Sequence, residues 1–378
     1  MFKLLQQELN KDRIWGLDLL RALAITMVLI EHSQLFLSPI FRSTNFMRLG
    51  GYWGVELFFV LSGFLIGGIL LKTYDTNNTK FNKKKLLTFW KRRWYRTLPS
   101  YFLILLVNTI LVVFFPHFIE LPKDYPQYFF FLQNFTSEHS SFFGEAWSLS
   151  VEEWFYIIFP LLLFLINSIS NKYISQKNKF LSITLSILAF SIIMRIQNTT
   201  DPNAYWDKGY RKIVIFRFDA ILTGVFIAWI NYYYLHWLNQ FKKELLGIGI
   251  ILLICSCFIY YTDILKNGTH ISSFFAKTFY FNLTSLGFAL CLPFAYSIKK
   301  GKASKFTKWI KIIAIVSYSI YLTHCSIIIW LLLQFQYLNT SFFSAIIFYT
   351  AFWILSLILA IILYNFFEKP FTNLRDKN

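Results

Sequence analysis

Residues 50–71 read GGYWGVELFFVLSGFLIGGILL, a run in which Glu56 is the only charged side chain. A helix needs about twenty apolar residues to cross the hydrocarbon core of a bilayer, and this run has that length. Working outward from it, comparable runs lie near 16–37, 52–72, 97–115, 146–167, 180–197, 213–234, 245–262, 275–297, 310–333 and 343–366. The 378 residues are 56% hydrophobic and 21% aromatic, and only 15% are charged. Soluble domains carry about a quarter charged residues, and the 44 phenylalanines exceed what a water-facing fold can cover. The fold class expected is all-α: a polytopic membrane helical bundle of about ten transmembrane helices, multi-pass in the lipid bilayer. A shorter stretch, 128-YFFFLQNF-135, cannot span and is expected as a re-entrant or interfacial piece against the outer face.

The net charge of +18 would suit nucleic acid, but the basic residues sit in short loops between apolar runs, which excludes that partner and indicates a cytoplasmic membrane face. Starting with the N-terminus inside and alternating, Lys and Arg divide 26 inside to 10 outside, with Arg21 within the first helix. That split places both termini in the cytoplasm and calls for an even number of spans. The polar start MFKLLQQELNKDR is followed by no small-residue cleavage site, so the first run is expected as a retained helix. With no repeat and no Pro/Gly/Ser linker, 1–378 is expected to be a single membrane-embedded domain with no appended soluble domain. Cys255, Cys257, Cys291 and Cys325 all fall in apolar runs without CxxC or metal spacing, and are expected as small buried hydrophobes. No metal is expected.

Ionisable groups inside a span cost about 2.5–3.5 kcal/mol each and face a cavity or a partner. The first helix, 16-GLDLLRALAITMVLIEHSQLF-36, carries Asp18, Arg21, Glu31 and His32. Arg21 and His32 are eleven residues apart, close to three turns, which puts them on one face roughly 16 Å apart along the axis. A cation at one end of a cavity and a base at the other suit an elongated anionic ligand. The same spacing also suits an Arg snorkelling to one interface and a His capping the other end. Glu56 in the second helix needs a partner. The third helix is entered through 92-RRWYRTLPSYF-102, where Arg93 and Arg96 face the same way. They serve either as positive-inside anchors or as a phosphate clamp, since guanidinium groups bind phosphate bidentately. In 145-EAWSLSVEEWFYIIFP-160, Glu152 and Tyr156 share a face with Ser148 and Glu145 roughly along it. In 217-RFDAILTG-224, Arg217 and Asp219 are two apart, so each is expected to need another partner. In 317-SYSIYLTHC-325, His324 lies deep in the ninth span and faces roughly as Tyr321 does. The closing 368-EKPF-371 reads as a helix stop.

Taken together these segments resemble the acyltransferase 3 family of integral membrane acyltransferases, which includes bacterial O-antigen and peptidoglycan acetylating enzymes. The matching segments are the spacing of Arg21 and His32, GVELFFVLSGFLI, RRWYRTLPSYF, AWSLSVEEWFYIIFP, RFDAILTG and SYSIYLTH, in the family's order and across nearly the whole chain. The resemblance implies about ten helices in a bacterial cytoplasmic (inner) membrane. It also implies an acyl-CoA donor, usually acetyl-CoA, entering from the cytoplasm, and a carbohydrate acceptor hydroxyl on the outer side. His32 matches the family's essential histidine, Arg21 its paired arginine, and Arg93 and Arg96 the arginines of the third helix. Two departures stand out: many members have His-His where this chain has Glu31-His32, and many have Asp where it has Glu56. Members acting on peptidoglycan often carry an extracytoplasmic esterase-like domain, which is not expected here.

The mechanism expected places the donor phosphates near Arg21, Arg93 and Arg96 and the thioester beside His32. Neutral His32 then takes the proton of the acceptor hydroxyl, because a hydroxyl needs such a base at neutral pH. Glu31 or Glu152 orients the ring, and Glu56, Ser148, Tyr156 and His324 bind or orient substrate. A Ser or Cys covalent intermediate is the alternative, but no nucleophile stands beside His32 by spacing, so direct transfer is expected. The competing class is a transporter or flippase of a sugar-containing or anionic substrate, which also uses intramembrane Arg, Glu and His but is disfavoured by the absence of an inverted repeat. The aromatic stretches 125–135 and 205–212 either stack on sugar rings or form interfacial belts, with belts the expectation. The acceptor, the acyl chain and the oligomeric state are not legible.

Overall fold

The computed structural model describes residues 3–11, 13–41, 43–75, 81–114, 120–138, 140–168, 174–200, 204–266, 272–299 and 304–375. Of the basic residues counted above, Arg42, Lys80, Lys172, Lys300, Lys302 and Lys377 lie outside these. The described residues contain no strand. The ten main helices are α1 (Trp15–Leu37), α2 (Arg48–Tyr74), α3 (Lys83–Phe114), α4 (Ala146–Ser168), α5 (Gln176–Asn198), α6 (Phe218–Tyr233), α7 (Lys242–Ile259), α8 (Tyr280–Ser297), α9 (Lys305–Thr323) and α10 (Phe342–Leu363). Among the described residues nine helical segments are long and apolar enough to cross a membrane.

The tenth expected span, at 275–297, is helical but is not among those nine. There α8 has 18 residues, and a short helix at Phe274–Thr278 precedes it. It is less apolar because its polar residues face protein and not lipid. Thr284 and Ser285 are fully buried, Thr284 shares a 2.6 Å hydrogen bond with Ser256 of α7, and Asn282 accepts one from Arg195 of α5.

The centre of the bundle is built by α2, α6 and α9, whose spans are the most enclosed by neighbours, and α1 packs on α2 and α9. Glycine sets how closely α2 and α6 approach. A Cβ on Gly63 would lie 1.8 Å from the Ile221 carbonyl oxygen, and one on Gly224 would lie 2.1 Å from that of Val60. Any larger residue at either place would push these helices apart.

A short helix, Lys3–Leu9, docks on the chain's other end. The Leu5 amide donates to Asn365, and Glu8 pairs with Lys369 at 2.6 Å and with Lys11 at 2.7 Å. Burial pushes the Glu8 carboxyl up, but the two lysines outweigh it and hold it below the usual glutamate range. The two ends of the described chain therefore sit at the same face of the bundle. The expected stop at Glu368–Phe371 is corrected as well: helix continues over Lys369–Leu374, because Pro370 stands in the first turn, where its missing N–H costs no bond.

The segment after α3 turns back as a 3₁₀ helix, Tyr125–Phe130, and packs on α3 and α4. Tyr101 donates to the Tyr128 carbonyl at 2.9 Å, and Trp154 donates to the carbonyl of Phe131 at 3.0 Å. Those bonds hold Phe131 at φ 57°, a left-handed conformation rare for an aromatic residue.

Candidate active site

Two cavities sit side by side in the bundle. The first, of about 220 Å³, is lined by Arg21 of α1, Arg93, Arg96 and Thr97 of α3, Glu152 and Tyr156 of α4 and Tyr318 of α9, among others. The second, of about 670 Å³, holds Glu31 and His32 of α1, His324 and Cys325, Glu145, Trp147, and the segment around Trp206, Asp207, Arg211 and Lys212. Val55 and Tyr321 line both. Arg21 and His32 thus line two neighbouring cavities that meet at Val55 and Tyr321. Tyr321 is held there by its hydroxyl, which shares a 2.6 Å hydrogen bond with Ser148.

In the arginine chamber, Asp18 receives Arg13 at 2.6 Å and Arg21 only at 3.4 Å, so the Arg21 charge is incompletely met. Among the described residues neither Arg93 nor Arg96 has a carboxylate within ion-pair distance. Arg93 instead lies over the Tyr156 ring, 5.9 Å from its centre. The Tyr156 hydroxyl bonds Ser62 at 2.8 Å and donates to Glu152 at 3.2 Å, while Glu153 accepts from Thr97 at 2.7 Å. Each carboxylate is thereby occupied by a hydroxyl, and the guanidinium groups are left facing the cavity. A chamber with excess positive charge fits the phosphates of a nucleotide-bearing donor.

In the histidine chamber, His32 Nδ1 lies 3.0 Å from the Val28 carbonyl oxygen and 2.9 Å from the Glu31 carboxylate. An N–H at Nδ1 donated to these oxygens leaves Nε2 as the proton-accepting nitrogen, the arrangement a carboxylate imposes on a catalytic histidine. Glu31, and not Glu152, is the carboxylate on this ring. The His324 ring stands edge-on to it with centroids 4.8 Å apart. Opposite, Asp207 pairs with Arg211 at 2.7 Å and Lys212 at 2.6 Å. Burial pushes the Asp207 carboxyl up, but Lys212 and Arg211 hold it well below its ordinary range, and burial of Arg211 is in turn outweighed by Asp207. The expected interfacial belt at 205–212 is corrected here. Trp206 and Tyr210 are buried within a helical turn, Trp206–Arg211, where they stack with Tyr52, Tyr280, Phe281 and Phe216.

These residues match a known family. The family model described as an acyltransferase domain, acyltransferase 3, covers residues 14–365. The chain belongs to the acyltransferase 3 family. Its relatives include the O-acetyltransferase OatA of Staphylococcus aureus strain NCTC 8325 / PS 47, 30% identical over 243 residues that make up 61% of this chain and 36% of the relative. OatA of strain COL matches with the same figures. The match takes in about a third of the length of these curated relatives. No solved structure matches.

Within this acyltransferase 3 chain, Glu56 stands apart from the other expected site residues. It lines neither chamber and pairs tightly with Arg217, both fully buried. Arg217 also meets Asp219 at 3.3 Å, and Asp219 receives Arg195 at 2.7 Å. Each of Arg217 and Asp219 thus has another partner, as expected, and they also meet each other, because Arg217 precedes α6 with φ −121°, ψ 13°, outside helical geometry. Sequence reading also missed Cys325. It follows His324 in a π-helical turn, His324–Ile329, and its thiol lies within hydrogen-bonding reach of His32, 293 positions away. No local spacing signals a contact made only by folding.

Proposed function

We propose that the chain is a membrane O-acyltransferase that moves an acyl group, acetyl by default, from acyl-CoA to a carbohydrate hydroxyl. With the basic loops inside, both termini face the cytoplasm and the arginine chamber opens toward the donor. Arg21, Arg93 and Arg96 bind the donor phosphates, and Tyr156, set by Ser62 and Glu152, flanks Arg93. The acceptor occupies the histidine chamber, where Trp147, Trp206 and Tyr260 offer flat faces to a sugar ring and Asp207 and Arg211 offer polar groups. His32 Nε2 takes the hydroxyl proton as its oxygen attacks an acyl carbonyl, and Glu31 stabilises the imidazolium that results. The thiolate released from the donor leaves as a thiol. His324 holds one side of the His32 ring, and Ser148 fixes Tyr321 between the chambers.

The observation that carries this reading is the Glu31–His32 pair in a chamber next to three guanidinium groups that lack full carboxylate partners. It is tested by CoA release from acetyl-CoA by the purified protein in detergent, where no membrane gradient exists. His32→Ala should lower release about 10²–10⁴-fold with an unchanged elution profile. Full activity in that variant removes the role given to His32. Absence of CoA release by the unaltered protein, together with unchanged O-acetyl content of surface glycans when it is deleted, removes the enzymatic reading in favour of transport.

A further inference from the structure

Cys325 is the one described thiol that lines a chamber containing a base. Glu31, His32 and Cys325 form a series: carboxylate on imidazole at 2.9 Å, imidazole within reach of thiol. That is the order that activates a nucleophile. A second, independent feature marks the spot. His324 is fully buried and gives its Nδ1 to the Tyr321 carbonyl at 2.8 Å, yet its Nε2 has no partner and the residue lines the same chamber. A buried nitrogen without a partner that belongs to a cavity-lining residue is placed to meet a bound group. Residue 144, across from the sulfur, is a glycine, and a Cβ there would lie 3.8 Å from Sγ. A side chain there would touch the sulfur, so the glycine leaves that side of the thiol uncovered.

The two-chamber plan gives such a residue a purpose. Tyr321 lines both chambers, and Cys325 follows it by four residues on the histidine side. A donor thioester that reaches past Tyr321 into the histidine chamber meets Cys325 there, and the acyl group then stays on the protein while the acceptor binds.

We propose that Cys325 is an acyl carrier: it takes the acyl group from the donor thioester and hands it to the acceptor hydroxyl. This rests on the reading of the chain as an acyl-CoA-dependent acyltransferase. In the first half-reaction, Sγ attacks the donor carbonyl and His32 Nε2 takes the thiol proton. The bond from carbonyl carbon to donor sulfur breaks, and the departing thiolate receives that proton. One thioester replaces another, so no oxidant or reductant is needed. In the second half-reaction, the hydroxyl oxygen attacks the Cys325 thioester while His32 takes its proton. The carbon–Sγ bond breaks, and the proton returns to Sγ.

The test uses the purified full chain in detergent with acetyl-CoA carrying ¹⁴C in the acetyl group and no acceptor. The expected result is a burst of CoA release matched by protein-bound label that neutral hydroxylamine removes, with peptide mapping placing the acetyl group on Cys325. Cys325→Ala and Cys325→Ser should both lose the hydroxylamine-sensitive label and the burst. The Ser variant keeps the shape of the site, and its elution profile and melting temperature separate lost chemistry from lost fold. CoA release to an acceptor with no label on the protein overturns the carrier role and leaves the His32 reading intact. So does label on another residue, or undiminished transfer in Cys325→Ala. If the unaltered protein releases no CoA under any condition, the function itself fails and the carrier falls with it.

Discussion

The buried arginines of this bundle fall into two groups, and the contrast shows how the molecule treats charge. Arg195 and Arg217 are fully enclosed, and their charges are met by Asp219 and Glu56. Arg195 also donates to the Phe216 carbonyl at 2.6 Å, and Arg217 to that of Arg211 at 3.0 Å. Arg93 and Arg96 are half-buried, line a cavity and, among the described residues, have no carboxylate within ion-pair distance. The first group is a set of ties between α2, α5, α6 and α8, whereas the second is a binding surface waiting for anions. Pairing, and not burial or residue type, separates a structural arginine from a functional one.

The largest effect expected from breaking this comparison is on folding. Arg217→Met leaves Glu56 and half of Asp219 as uncompensated charges, and breaking a buried pair this way costs about 3–5 kcal/mol. Thermal melting in detergent should show it as a large drop, with part of the loss recovered in the double variant with Glu56→Gln. A melting temperature equal to that of the unaltered protein would dissolve the distinction.

A smaller effect sharpens the other half. Arg93→Gln and Arg96→Gln should leave melting unchanged but raise KM for acetyl-CoA. A hydrogen bond to a charged group contributes about 1.5–3 kcal/mol, so each substitution should weaken binding about 10–100-fold. If these variants unfold instead, the arginines belong with the structural group.

The smallest effect concerns Asp207, which lines the histidine chamber but is paired like the structural group. Because its carboxyl is held below the ordinary range, its contribution to stability is complete above the usual Asp pKa. It fades as pH falls below that value. Melting temperature followed from about pH 6 to about pH 3 should decline less steeply in Asp207→Asn. Equal slopes would show that the pair adds nothing to stability.

Much of the fold was legible because lipid leaves so few choices: backbone groups must be satisfied within helices, and apolar runs of membrane length announce them. The tenth helix, α8, falls short of that apolar length because it carries polar residues that α5 and α7 satisfy, which a scan for apolar length cannot weigh. In the site, Arg21, His32, Arg93, Arg96, Glu152 and Tyr156 stood out as ionisable or polar groups where an apolar residue was expected. Cys325 did not, since a cysteine in an apolar stretch looks like packing, and the stretch around Trp206 read as an interfacial belt. Glu56 stood out equally and proved to be a structural partner, because cost alone does not reveal who offsets it.

By itself the sequence determined that this chain lies in a membrane, that α1 carries an arginine and a histidine on one face, and which family it joins. Periodicity and hydropathy act over neighbouring residues, so they survive without a fold. Only the tertiary structure decided that two cavities meet at Tyr321, that Glu31 holds His32, that Arg217 holds Glu56 and that Cys325 meets His32. Those contacts join residues far apart in the chain, and only packed helices bring them within the few ångströms over which hydrogen bonds and ion pairs act.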